Sequence, residues 1–321
     1  MQSPSDTSSA TARYLKRNIT PCLWFDTHVE EAVRFYTSLF PRSSIGEITR
    51  FGKEGFEIHG RPEGSIMTVS FEISGYGCVA LNGGPGINFT PAISLFVACG
   101  SEAEVDALWK QLVDGGMVIM ELGVYEWSDK YGWLNDRYGL SWQIFLGDPD
   151  DVGQTISPSL FFVGEQAGKA EEAIHFYTTL FRDSSVTGIL RYGADEAQGK
   201  ESMVKHAQFT LSGEVFMAMD SPIEHDFTFS EAFSFIIECA SEAEIDHFWR
   251  KLADGGQEGP CGWIKDKFGV SWQVVPSVLY DMLRSRNEDS VARVTRAMLQ
   301  MQKLDIRALT DAFESDVQRN T

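Results

Sequence analysis

The chain has 321 residues, 43% of them hydrophobic and 23% charged, so it buries a core and is not a disordered polymer; as a soft prior it holds about two domains. Its 46 acidic residues outnumber 27 basic ones, and the resulting charge of −19 disfavours nucleic acid and anionic membranes as partners. The apolar runs stop short of the ~20 residues of a membrane-spanning helix, and five cysteines without a CxxC pair read as free thiols in a reducing cytoplasm.

In chain order, residues 1–15 read as a disordered tail rather than a signal peptide. A strand, Thr20 to Phe25, precedes a helix from about Val29 to Leu39, whose buried stripe is Ala32, Val33, Phe35, Tyr36 and Leu39. Strand-like runs follow at Ser44 to Phe51, Ser65 to Ile73 and Cys78 to Asn82, the last two parted by a Gly-Tyr-Gly turn. The pattern then restarts. Ile93 to Cys99 is a strand, and Ser101 with Glu104 forms the capping box of a second helix that ends at Gly115-Gly116. Trp133-Leu134 gives a short strand, Tyr138-Gly139 a turn, and Leu140 to Leu146 the closing strand.

The second half repeats the first. EEAVRFYTSLFPRSS is echoed by EEAIHFYTTLFRDSS, CGSEAEVDALWKQLVDGG by CASEAEIDHFWRKLADGG, and GWLNDRYGLSWQIF by GWIKDKFGVSWQVV. Copy two gains residues before its first helix (Gly164 to Lys169). Copy one is longer between its second helix and its last strand, where it carries VIMELGVYEWSDKY. These loops are where the copies diverge in use. The expected organisation is residues 16–150 as one module, 151–284 as a second, and 285–321 as a C-terminal helix with apolar residues at Val291, Val294, Met298, Met301 and Leu304. That helix is expected to dock on the body or to form a homodimer contact.

The strings PxLxF, EEAxxFYTxLF, SEAExDxxWxxL and GWxxDxxGxSWQ, over Lys16 to Leu283, resemble the PhnB-like (3-demethylubiquinone-9 3-methyltransferase-type) subfamily of the vicinal-oxygen-chelate, or glyoxalase/bleomycin-resistance, superfamily. The resemblance implies an α+β fold: tandem modules built from four βαβββ units with curved mixed sheets. It also implies a divalent metal held by His and Glu or Gln side chains from the sheet. Carried over, the ligand positions fall on Pro21 and Pro158, near Ala92 and Ala232, and on Gln143 and Gln273. Pro and Ala have no ligating side chain and a lone amide holds no metal, so no metal or other cofactor is expected. A transferase of the usual S-adenosylmethionine kind needs a Gly-rich turn between a strand and a helix, and GYGCVALNGGPG lies among antiparallel strands instead.

Strand alternation puts Pro21, Leu23 and Phe25 on one face and Cys22 and Trp24 on the other. If the Pro21 face is the cup, its lining is Leu23, Phe25, Ser94, Phe96, Ser141 and Gln143, and in copy two Leu160, Phe162, Ser234, Ile236, Ser271 and Gln273. Trp142 and Trp272 then point outward against the helices. The alternative is a face filled as core. Asn82 and Asp220 are placed at the cup mouth or as turn caps, and Asp136 and Asp266 as structural. Trp127 and Trp133, assigned to the loop special to copy one, are the candidate lid. The expected function is binding of a small, partly apolar ligand without the superfamily's usual metal. The alternative is an enzyme of the same superfamily, of lyase, dioxygenase or transferase type.

Overall fold

Two eight-stranded mixed sheets carry the fold of the computed structural model, which describes residues 19–197 and 199–315; the tail expected over residues 1–15 lies outside them. The first unit is β1 (Ile19–Phe25), α1 (Val29–Leu39), β2 (Ser44–Arg50), a single turn α2 (Phe56–His59), β3 (Ile66–Ile73) and β4 (Tyr76–Asn82). The second is β5 (Ile93–Cys99), α3 (Glu102–Leu112), β6 (Met117–Tyr125), β7 (Ser128–Asn135) and β8 (Ser141–Leu146). A short α4 (Pro149–Val152) leads to the third, with β9 (Ile156–Phe162), α5 (Ala170–Leu180), β10 (Ser185–Arg191), β11 (Val204–Leu211) and β12 (Glu214–Asp220). The fourth has β13 (Phe233–Cys239), α6 (Glu242–Ala253), β14 (Gln257–Glu258), β15 (Trp263–Lys265) and β16 (Ser271–Pro276). The tail forms α7 (Ser277–Leu283), α8 (Glu288–Leu299) and α9 (Ile306–Glu314).

Local sequence explains these elements. On α1, Val29, Ala32, Val33 and Tyr36 are buried, the spacing of one helix face. The capping boxes form as expected: Ser101 accepts from Glu104 N while Glu104 accepts from Gly100 N, and Ser241, Glu244 and Ala240 repeat the arrangement. The glycine pair after α3 and α6 has a steric reason. A Cβ at Gly116 or Gly256 would lie 2.4 Å from the carbonyl oxygen of Asn135 or Lys265.

The strand order is β14-β15-β16-β13-β1-β4-β3-β2 in the first sheet and β10-β11-β12-β9-β5-β8-β7-β6 in the second. The first sheet thus joins the opening unit of copy one to the closing unit of copy two, and the second sheet joins the two inner units. Packing on the helix side follows a different division. Tyr36 on α1 meets Trp142 of the other sheet at 5.5 Å between ring centroids, and Tyr177 on α5 meets Trp272 at 5.4 Å. Each sequence repeat is therefore held together through its own aromatic core, whereas each sheet combines both repeats.

Where a single C-terminal helix is expected over residues 285–321, the described residues form two, α8 and α9, preceded by α7. Asn287 and Asp305 cap α8 and α9, accepting from Ser290 N and Ala308 N, and the bend between them lets Met301 and Gln302 accept from Cys261 N and Gly262 N at 2.7 Å. Copy one's long β6–β7 hairpin has only the short β14–β15 as its counterpart, and the tail packs beside that shorter hairpin. Among the described residues no helix is long and apolar enough to cross a membrane.

Candidate functional site

The face of each sheet away from the helices is the cup, and the structure reverses part of the expected lining. Leu23, Phe25, Leu160 and Phe162 are buried in the helix-side core together with Leu95, Trp142, Phe235 and Trp272. The cup residues of β1 are Cys22 and Trp24, and those of β9 are Ser157, Ser159 and Phe161. β9 is buried at all seven positions and β1 at five of its seven, so alternation of polarity carried no signal about direction. Ser94, Phe96, Ser141 and Gln143 do share the cup face of the second sheet, as Ser234, Ile236, Ser271 and Gln273 do in the first. Trp142 and Trp272 point into the helices as expected.

Cross-strand register aligns a row in each cup: Met217, Ser159, Ser94 and Ser141 in the second sheet, Val79, Cys22, Ser234 and Ser271 in the first. Over the second row Gln143, 1% exposed, donates from Nε2 to Ser94 Oγ at 2.7 Å and Ser159 Oγ at 3.3 Å, and accepts from the Tyr131 hydroxyl at 2.7 Å. Trp133 Nε1 donates to Ser141 Oγ at 2.8 Å. Ser157 Oγ is buried on the same face without a partner. Phe96, Tyr131, Trp133, Phe161, Val215 and Met217 form the apolar wall, closed by Met120, Tyr125 and Phe145, by Val152 of the α4 linker and by Phe227. Burial pushes the Tyr131 hydroxyl far above its usual range, so it stays a neutral donor.

Trp133 is not in a loop, whereas Trp127 sits in the turn between β6 and β7. The segment is the β6–β7 hairpin; Trp133 has a counterpart in Trp263, and Trp127 at the tip is 48% exposed, its ring 4.4 Å from that of Tyr131. Trp133 meets Phe161 edge-on at 5.2 Å, as Trp263 meets Trp24 at 6.1 Å in the other cup.

In the first cup the floor is reduced and covered. Gln273 donates to Ser234 at 3.0 Å, and Ser271 Oγ, the counterpart of Ser141, has no partner. Cys22, Ile236, Val79 and Leu81 pack against Leu279, Val294, Leu304 and Leu309 of the tail. Burial pushes the Cys22 thiol up to about 11. Burying each of these large tail side chains contributes about 1.5–3 kcal/mol. Ion pairs of Arg284 with Glu47, Arg296 with Glu54, and Lys303 with Glu242 and Asp246 fix the tail at its margins. Of the expected apolar stripe, Val294 and Leu304 are buried against the body, Met298 and Met301 are half-buried beside them, and Val291 is half-buried.

Asn82 and Asp220 do not face a cup. Asn82 accepts from Val29 N and donates to Ile66 O, and Asp220 accepts from Gly168 N, Ala170 N and Val204 N. Both side chains hold the start of a helix against the end of a strand. Asp136 and Asp266 are structural in their contacts. Asp266 accepts from Phe268 N and Val270 N, from Trp272 Nε1 and from the Tyr177 hydroxyl, and Asp136 accepts from Tyr138 N, Leu140 N and Trp142 Nε1. Burial raises all three of these aspartates above the usual carboxylate range.

The metal-ligand register shifts by one residue, since Pro21 and Pro158 lie on the helix side and Cys22 and Ser159 take the cup positions. The side chains around Gln143 on the floor of the second cup are then Ser94, Ser159 and Met217: with the amide, two hydroxyls and a thioether, and neither a carboxylate nor an imidazole on this floor. This donor set does not fit a divalent ion, and among the described residues no three His, Cys, Asp or Glu gather as a metal site.

Two histidines do belong to the second cup. His225 meets Phe161 at 5.2 Å and shares a 2.6 Å hydrogen bond with Ser221. His206 on β11 lines an open hollow of about 390 Å³ together with Thr187, Gly188, Ile189, Leu190 and Gln208. Burial holds its imidazole below the ordinary value, hence neutral at pH 7. Sequence comparison passed over both because neither recurs in copy one, and passed over Tyr131 because it falls in the unmatched hairpin.

No curated protein matches the chain. Among solved structures, the PhnB protein of Bacillus cereus is 39% identical over 41% of this chain and 100% of its own, with a TM-score of 0.38. A Pseudomonas aeruginosa protein is 23% identical over 39% of this chain and 93% of its own, with a TM-score of 0.32. Glyoxalase I of Zea mays is 11% identical over 80% of this chain and 90% of its own, with a TM-score of 0.52, a likeness of fold. The profile of the 3-demethylubiquinone-9 3-methyltransferase family matches residues 17–145 and again 154–275, and the chain belongs to that family as a tandem pair of its domains.

Proposed function

We propose that the chain binds a small, ring-bearing, largely apolar molecule in the cup of the second sheet, without a divalent metal. The observation that carries this is the contrast between duplicated cups. The first is filled by the chain's own leucine and valine side chains, so a cup of this build receives apolar matter. The second keeps aromatic walls over a hydrogen-bonded floor with the buried Ser157 hydroxyl unpartnered, and among the described residues the side chains packed there include none from the tail. Apolar walls with a few placed polar groups suit a small-molecule site.

The test is calorimetric titration of the full chain with 1-methoxynaphthalene, alone and with Mg²⁺, Mn²⁺, Ni²⁺ or Zn²⁺. Saturable binding that Trp133→Ala weakens and that no metal changes is the expected result. Absence of binding, or binding only with a metal, would overturn the reading.

A further inference from the structure

The hollow at the β10–β11 end of the second cup is a departure of copy two from copy one. At the equivalent places on β3, Thr68 and Ser70 are engaged with the neighbouring strand: Thr68 shares a 2.5 Å hydrogen bond with Thr49, and Ser70 accepts from Glu47 N at 2.7 Å. On β11 the larger His206 and Gln208 replace them, opposite Leu190 and Gly188. A Cβ at Gly188 would meet nothing within 4 Å, so the absent side chain is what leaves the space open.

The polar atoms of this hollow have a definite sense. Gln208 Nε2 donates to Val152 O at 3.0 Å, which fixes the amide and leaves Oε1 as an acceptor. His206, neutral, keeps one ring nitrogen as an acceptor. The lining contains neither Lys or Arg to hold an anion nor Asp or Glu to hold a cation. The nearest cations on these strands, Lys205 and Arg191, are paired with Glu196 and Glu171.

We propose that His206 and Gln208 receive the polar end of the ligand, and that the ligand is an uncharged aromatic carrying an O–H or N–H donor, of the class of phenols and aromatic amines. This rests on the reading of the second cup as a binding site. An acceptor pair beside apolar walls selects such a molecule over its alkylated analogue, because an ether leaves both acceptors without a proton.

The experiment compares 1-naphthol with 1-methoxynaphthalene by calorimetry on the full chain, with 1-naphthoate as the charged control. Naphthol is expected to bind about tenfold more tightly than the ether, with naphthoate weaker than both. His206→Leu should remove the advantage of naphthol over the ether, while His206→Gln, which keeps an acceptor, retains most of it. Gly188→Leu, whose Cβ enters open space and whose longer side chain fills the hollow, should act as His206→Leu does. Equal binding of naphthol and ether, or an advantage that survives His206→Leu, would overturn the inference while leaving the cup reading intact. Failure of both compounds to bind would remove the cup reading and the inference with it.

Discussion

The Tyr131 hydroxyl donates to Gln143 Oε1 at 2.7 Å, and both side chains are almost wholly buried. Tyr131→Phe keeps the ring and leaves the amide oxygen buried without a donor, which costs about 1–3 kcal/mol. Urea denaturation of the full chain should show a lowered midpoint with an unchanged slope. A midpoint equal to that of the parent would mean that Gln143 finds another donor.

The tail over the first cup makes a prediction about a thiol. Leu304 is fully buried, and Leu304→Ala should cost about 2–5 kcal/mol, loosening the tail where it packs against the cup. Cys22, beneath the tail, should then react faster with a thiol reagent, while Cys239, buried in the helix-side core, should not. Equal acceleration of both would show unfolding of the whole chain instead of release of the tail.

Asp220 accepts three backbone N–H groups and Asn82 accepts one. Asp220→Ala is therefore expected to lower the melting temperature more than Asn82→Ala, with a loss of about 1–3 kcal/mol for the former from the orphaned buried donors. The reverse order would show that the α5 start finds other acceptors.

Burial holds the folded pKa of His206 below the ordinary histidine value. As pH falls, the unfolded chain takes up this proton first, so stability is full above the unfolded pKa and declines as pH falls below it until the folded pKa is passed. His206→Gln should flatten that decline. The melting temperature is followed as variant minus parent between about pH 7.5 and about pH 5.5, across the histidine range. The difference cancels Asp136, Asp220 and Asp266, whose raised folded values act in the opposite direction. A difference that does not vary with pH would place His206 in solvent.

The repeat, the long helix of each unit and most strands were legible in the sequence because each has a local cause: the Ser101–Glu104 box, the stripe from Val29 to Tyr36, the Gly115-Gly116 stop. The direction of the strand faces was not. Leu23 and Cys22 are both buried, one among helices and the other under the tail, so hydrophobicity could not separate them. Gln143, Ser94 and Phe96 lie on the cup face as expected, because β5 and β8 keep the expected phase. Leu23, Phe25, Leu160 and Phe162 were misplaced because β1 and β9 were read in the opposite one. The β6–β7 hairpin escaped because its counterpart β14–β15 is far shorter, and the β1–β13 and β5–β9 pairings because they join strands of different repeats.

Each sheet takes one unit from either repeat. Two separate chains of one repeat each, related by a two-fold axis, would be bound to make both cups alike. Linking them in one polypeptide lifts that constraint, so a substitution can alter one cup and leave its twin untouched. The chain shows the outcome at both ends: a Gly and a His open a recess in one cup, and an extension found only after the second repeat seals the other. The two repeats keep one fold while their cups differ, because a single polypeptide does not tie the residues of one copy to those of the other.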